Sequence, residues 1–223
     1  MPTSYAFFDF DGTLIGGDSI ILFMRYAWRH KLCSAVDLLR FLVAGGLFTL
    51  NVYSPKRAKE MALHFVKGRE RAAYQSAAED FCRSVLVPRL YSQGVDTVKK
   101  HLAAGDTVLL VSASPAFYLE PLQDILGFAH VLGTQLAVDE AGRFTGAIIG
   151  QNCRGEQKNV RIAQYLAETG TQLDFETSCA YGDSTHDLPM LGLVRHGYAV
   201  NPGKKMQTKL QSQGDVTVVR WKG

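Results

Sequence analysis

The chain predicts an α/β fold: a doubly wound, mostly parallel Rossmann-like sheet with a helical segment inserted early. Three observations carry this. An apolar strand over residues 4–10 runs into two acids and a glycine, Asp9-Phe10-Asp11-Gly12. No strand pattern occurs between residues 18 and 88. From residue 91 onward, apolar strands alternate with amphipathic helices, the pattern of parallel β-α-β units.

The first strand sets the frame. Tyr5, Phe7 and Phe8 suit a pleated, buried surface. Alternate side chains of a strand share a face, so Asp9 and Asp11 fall on one side of the extended chain. Gly12 then lets the backbone turn sharply. Like charges held close raise each other's pKa, and a bound divalent cation would offset that cost. The same residues also suit a solvated strand-end turn, where Asp-Gly is common, and taken alone they leave both readings open.

The insert is expected to be wholly helical. Residues 18–30 read as a helix, with Asp18 or Ser19 as N-cap and Ile20, Ile21, Phe23, Met24 and Ala27 on its apolar face. Residues 34–50 are apolar nearly all round, with a narrow polar stripe at Asp37 and Arg40. Such a segment is buried within the fold, forms a homodimer interface, or meets a membrane surface, and the first two are preferred. Internal burial would make Leu42 and Phe48 core residues. Gly45-Gly46 is expected to kink or break this helix. Pro55 suits the first turn of a helix reaching about residue 67, and residues 70–86 keep the helical pattern.

Past the insert, a helix over 91–104 stops at Gly105 and a strand over 106–112 follows. A helix over 115–126 is closed by Gly127. Strands over 131–138 and 143–149 flank Asp139-Glu140-Ala141-Gly142 as a hairpin. Helices over 155–168 and 187–193 and strands over 179–181, 198–200 and 216–219 complete the expected fold.

Composition narrows the partners. Of 223 residues, 47% are apolar and 20% charged, which suits one sizeable core with a smaller insert. A net charge of +3 without a basic stripe argues against nucleic acid. Cys33, Cys82, Cys153 and Cys179 form no metal-type pairs. Without a secretory signal they read as reduced thiols, so a cytoplasmic protein is expected, with peripheral membrane contact through the apolar segment as its only lipid contact.

In an open α/β sheet, ligands bind beyond the carboxyl ends of the strands. Asp9, Ser112 and Asp183 stand at or just past such ends, and the insert leaves the same edge after Asp11, so it should cap the site. Each later residue has an ordinary reading too. Ser112 could open the following helix, Lys158 could be a solvated helix lysine, and Asp183 and Asp187 could cap a helix. A surface or positioning role suits His186 better than a catalytic one.

The order Asp9-x-Asp11-Gly12-Thr13, Ser112, Lys158, Gly182-Asp183-x-x-x-Asp187 resembles the haloacid-dehalogenase (HAD) superfamily of phosphotransferases. The resemblance implies a core over residues 1–14 and 87–223 and a helical C1-type cap over 15–86. It implies a Mg2+-dependent phosphomonoester phosphatase in which Asp9 is the nucleophile, forming an aspartyl-phosphate, and Asp11 transfers protons. Ser112 and Lys158 would bind the phosphoryl group. Asp9, Asp183 and Asp187, with the backbone carbonyl of Asp11, would hold the metal. Dehalogenases of the superfamily lack an acid at the place of Asp11 and transporting ATPases carry threonine there, so Asp11 favours phosphomonoester hydrolysis.

Ser112-Ala113-Ser114-Pro115, Gly155-Glu156-Gln157-Lys158 and Tyr181-Gly182-Asp183-Ser184-x-x-Asp187-Leu188-Pro189-Met190-Leu191 resemble subfamily IB, the phosphoserine-phosphatase-like hydrolases. By that resemblance Asp18 would meet a substrate amine, Arg57 would stand for a cap arginine, and Ala113 would join Ser112 and Lys158 in binding a small phosphorylated substrate. Ala113-Ser114-Pro115 replaces the Gly-Gly-Phe run of phosphoserine phosphatase, and the cap is more apolar, which puts phosphoserine itself in doubt. The alternatives are a lipid phosphate, as in phosphatidylglycerophosphate phosphatases, and a phosphoryl-transfer mutase. A receiver-type signalling domain also gathers acids around Mg2+ but has no helical cap of this size.

Overall fold

The computed structural model describes residues 2–211 and 216–222. Strand β1 (Tyr5–Phe8) leads into four helices, α1 (Ser19–Arg29), α2 (Ala35–Thr49), α3 (Pro55–Ala62) and α4 (Arg71–Phe81). After a π-helical turn at Cys82–Leu86 come α5 (Ser92–Ala104), β2 (Thr107–Pro115), α6 (Ala116–Leu119), α7 (Leu122–Leu126) and β3 (His130–Thr134). The strands β4 (Leu136–Val138) and β5 (Phe144–Ile148) precede α8 (Glu156–Thr169) and β6 (Cys179–Gly182). The chain closes with α9 (Leu188–Leu191), β7 (His196–Val200), α10 (Lys204–Leu210) and β8 (Val216–Val219).

Six strands pair in the order β3-β2-β1-β6-β7-β8, all parallel. The chain runs from β1 outward to β3 on one side and resumes at β6 on the other. The order therefore reverses beside β1, and the crevice at that switch is where an α/β sheet binds ligands. The strand period divides the core. Ala6, Phe8, Val108 and Leu110 face one cluster, shared with Phe23, Phe81 and Phe117. Tyr5, Phe7, Leu109 and Val111 face the other, against Ile162, Met190, Leu191 and Met206. Because Phe23 and Phe81 lie on α1 and α4, the insert shares its core with the sheet.

The sequence misplaced several details. Helix α2 runs unbroken through Gly45 and Gly46, and its start is fixed by a capping box between Ser34 and Asp37. Pro121 splits the expected 115–126 helix into α6 and α7. The expected strand over 131–138 is two strands: β3 joins the main sheet, and β4 pairs antiparallel with β5. Helix α10 was not foreseen. The expected internal burial of residues 34–50 is also corrected. Of α2 only Ala44 is buried, and Val36, Leu39 and Leu42 are 58%, 61% and 62% exposed. No helix among the described residues is long and apolar enough to cross a membrane.

Candidate active site

The first strand delivers Asp9 to the switch point. Its amide donates to the carbonyl of Tyr181 at 2.9 Å, which locks the end of β1 against β6. The turn that follows is possible because position 12 is glycine. Its φ is 81°, and a Cβ there would lie 2.3 Å from Asp183 Oδ2. Gly182 serves the same end on β6, where a Cβ would lie 2.4 Å from that of Asp187. Gly12 lets the two acidic loops pack into contact, and Gly182 lets the second fold back on its own strand end.

Lys158 enters from the first turn of α8 and is 2% exposed. Its ammonium donates to Asp9 Oδ1 and to Asp187 Oδ1, both at 2.6 Å. Thr13 Oγ1 donates to Asp9 Oδ2 at 3.1 Å, and Ser184 supplies its amide and hydroxyl to Asp187 Oδ2. One carboxylate oxygen from each of Asp9, Asp183 and Asp187 lies within 4.8 Å of the others. This all-oxygen set suits a hard divalent cation. Asp183 forms no ion pair among the described residues, so the three acids exceed the one ammonium that faces them.

The electrostatics follow from that imbalance. Burial pushes Asp9 well above the usual carboxylate range, against the pull of Lys158 and with the repulsion of Asp187 and Asp183. Burial and the neighbouring Asp187 raise Asp183 to about 7. Burial also acts on Asp187, but there the Lys158 ammonium and the Ser184 donors prevail and hold it below the usual value. Burial opposes the charge of Lys158, yet the two carboxylates hold its pKa above the ordinary lysine value. A bound divalent cation would relieve the excess negative charge at Asp9 and Asp183.

Asp11 faces elsewhere. Its Oδ1 accepts from the Ser19 amide at 2.6 Å, and its Oδ2 accepts from Ser19 Oγ at 3.1 Å and from Ser114 Oγ. Burial, with Asp18 nearby, raises it to about 6, although Ser114 and Ser19 pull the other way. Two acids spaced by two residues are thus separated, one on the ammonium and one in a cage of hydroxyls.

Above these residues lies a cleft of about 740 Å³. Asp9, Asp11, Ser112, Ala113, Lys158, Asp183 and Asp187 all line it, and so does Asp18, which caps α1 by accepting from the Ile20 amide at 2.9 Å. His186 is on the exposed rim. Ser112 is inside β2 rather than at a helix start, and its hydroxyl accepts from the Ser114 amide at 3.0 Å. Arg57 does not line the cleft: its guanidinium lies over the Tyr53 ring at 4.5 Å, on the outer side of α3. Lys59, two positions on, is turned inward instead. Its ammonium donates to the carbonyl of Ala113 and, at 2.8 Å, to Asn152 Oδ1. The Ala113 carbonyl, which also accepts from Thr134 Oγ1 at 2.6 Å, lies where β2 loses register with β3 between Val111 and Pro115. Burial of the ammonium lowers Lys59 to about 8, against the attraction of Asp11 and Asp18.

Sequence reasoning gave no role at the site to Lys59, Asn152, Ser19 or Ser114, to Arg154, which also lines the cleft, or to Tyr118, whose hydroxyl lies 3.0 Å from Ser19 Oγ. A signal existed for Lys59. Pro55, Ala58 and Ala62 form the apolar face of α3 at helical spacing, and Lys59 falls among them while Arg57 does not.

The model of the family described as haloacid dehalogenase-like hydrolase matches residues 6–192. The chain belongs to this family. Phosphoserine phosphatase SerB1 of Mycobacterium tuberculosis is 30% identical over 95% of this chain and 69% of its own length. A histidinol-phosphatase of Neisseria meningitidis is 29% identical over 94% of this chain and 95% of its own. A crystal structure of a Bordetella pertussis protein of unknown function superposes with a TM-score of 0.88 at 30% identity, over 98% of this chain and 99% of that one. The six-stranded parallel sheet with helices inserted between β1 and β2 is the haloacid-dehalogenase core and cap, of the phosphoserine-phosphatase-like kind. The chain is accordingly a hydrolase of the phosphatase type.

Proposed function

We propose that the chain is a Mg2+-dependent phosphomonoesterase that works through an aspartyl-phosphate on Asp9. The observation that carries this is the separation of the two acids: Asp9 on the Lys158 ammonium at 2.6 Å, Asp11 held apart by Ser19 and Ser114. A nucleophile and a proton carrier need different surroundings, and these two carboxyls have them.

In the first step an Asp9 oxygen attacks phosphorus, the bond from phosphorus to the ester oxygen breaks, and Asp11 gives its proton to the departing alkoxide. In the second, water attacks the phosphorus of the aspartyl-phosphate, Asp11 takes the proton, and the bond to Asp9 breaks to release phosphate. Ser112 and the Lys158 ammonium, both buried at the cleft floor, donate to the phosphoryl oxygens. Asp9, Asp183, Asp187 and the Asp11 carbonyl would hold Mg2+, which supplies positive charge to the transferring group.

The proposed substrate is a small phosphorylated amino alcohol or similar metabolite. Asp18 offers a carboxylate to an amine at the cleft wall, and the named substrates of the two relatives, phosphoserine and histidinol phosphate, each carry one. Lipid phosphate is a second reading with its own support. Helix α2 lines the cleft with Phe41, Ala44, Gly45 and Phe48 while its outer face exposes Val36, Leu39 and Leu42. Phosphate release across amino-alcohol, sugar, nucleotide and vesicle-borne lipid phosphates separates them. Highest kcat/KM on an amino-alcohol phosphate supports the first reading, and on a lipid phosphate the second. No release from any of them rejects the phosphatase.

A further inference from the structure

Three hydroxyls connect Asp11 to the interior. Ser19 Oγ lies 2.8 Å from Ser114 Oγ and 3.0 Å from Tyr118 Oη, and both serines reach Asp11 Oδ2. Ser19, Ser114 and Tyr118 are all buried, Tyr118 completely. When Asp11 is ionised its carboxylate only accepts, so Ser114 Oγ and Ser19 Oγ both donate to Oδ2. With the one Ser19 proton spent there, the Ser19 oxygen accepts from Tyr118 Oη. The Tyr118 ring cannot shift to another acceptor, because it is packed against Phe23 at 4.8 Å, Phe117 at 5.3 Å and Phe81 at 5.5 Å.

The position of this chain of bonds in the fold matters. Ser19 starts α1, the first helix of the insert, whereas Ser114 and Tyr118 belong to β2 and α6 of the core. Together they grip both oxygens of Asp11 and turn it away from Asp9, Asp183 and Asp187. Without the two hydroxyls the half-buried Asp11 carboxylate keeps, among the described residues, only the Ser19 amide as a donor.

We propose that Ser19, Ser114 and Tyr118 are positioning residues that keep the Asp11 carboxyl available for proton transfer. The inference rests on the reading of Asp11 as the proton carrier. It concerns the expulsion of the alcohol, so its consequence depends on the leaving group. An alkyl phosphate needs its alkoxide protonated; a dinitrophenyl phosphate, whose leaving group is already stable, does not.

The test measures kcat/KM, which reports the phosphorylation step, for an alkyl phosphate and for 2,4-dinitrophenyl phosphate. The variants are Ser114→Ala, Ser19→Ala and Tyr118→Phe, with Asp11→Asn as reference and thermal melts as a control for folding. Displacement of a proton donor by a fraction of an ångström to 1 Å is expected to cost about 10- to 100-fold on the alkyl ester, and less than about threefold on the dinitrophenyl ester, for Ser114→Ala. Tyr118→Phe should show a smaller loss with the same selectivity. Equal losses on both esters, or none, in folded serine variants overturn the inference while a selective loss in Asp11→Asn upholds the role of Asp11. An unselective Asp11→Asn overturns that role, and the inference with it.

Discussion

Lys158 and Asp9 meet at 2.6 Å although 149 positions separate them, and the same ammonium reaches Asp187 at 2.6 Å. All three side chains are buried. Replacing Lys158 by Met would leave Asp9 and Asp187 facing each other without a counter-charge. Breaking a buried pair on one side costs about 3 kcal/mol or more. We expect Lys158→Met to lower the denaturation midpoint in metal-free buffer by an amount of that size and to abolish phosphate release. An unchanged midpoint would show that the ammonium does not offset the two carboxylates.

Lys59 gives a pH signature. Burial lowers its pKa from the ordinary 10.5 to about 8, so the folded protein sheds this proton before the unfolded chain does. The sign follows: the cost of enclosing the ammonium is fully present below about pH 8 and is relieved as pH rises from there toward 10.5. Binding of an anionic substrate should go the opposite way, since the Lys59 cation that lines the cleft is lost as pH passes through about 8. KM should rise above pH 8 in the parent and stay flat there in Lys59→Met. Parallel KM profiles in the two proteins would remove Lys59 from substrate binding.

The acidic cluster predicts a metal requirement with a particular selectivity. Chelation should stop turnover and Mg2+ should restore it, because oxygen ligands in a tight set suit a small octahedral ion. Ca2+ should inhibit. Asp183→Asn should raise the Mg2+ concentration needed for half-maximal rate while leaving the fold intact. Full turnover after exhaustive chelation would contradict the assignment.

The outer face of α2 predicts an unusual tolerance. Leu42 is 62% exposed, so Leu42→Ser should change stability by no more than about 0.5 kcal/mol. Phe48 is half-buried, lines the cleft and has the Arg154 guanidinium 5.7 Å from its ring centroid, so Phe48→Ser should act on KM. Thermal melts check the first and kinetics the second. Vesicle flotation of Leu42→Ser against the parent adds the lipid test: reduced binding supports the second substrate reading, and no binding by the parent removes it.

How much of this was legible in the sequence depended on the range of the interaction. That Asp9, Asp11, Asp183 and Asp187 meet at one cleft was legible because strand ends and their turns impose short, fixed spacings, whereas Ser112 and Lys158 were named through their order in the motif series. The sheet was legible because its strands are buried on both faces and read as continuous apolar runs. Lys59 was not, since a one-step error in the register of a two-turn helix exchanges it for Arg57. The hydroxyl chain on Asp11 was not, because Ser19, Ser114 and Tyr118 come from elements that only the tertiary fold brings together. Gly45-Gly46 does not break α2, and a Cβ at either position would meet nothing within 4 Å.

The central claim is that Asp9 attacks phosphorus, and Asp9→Asn tests it most directly. The amide is nearly isosteric with the carboxylate: its one oxygen can still accept from Lys158 and its NH2 can donate to Thr13 Oγ1, but it cannot act as the nucleophile. Phosphate release from p-nitrophenyl phosphate in saturating Mg2+ is the measurement, with the parent alongside and folding checked by circular dichroism. The account predicts release indistinguishable from the no-enzyme control in a folded variant; release within a few-fold of the parent would contradict it.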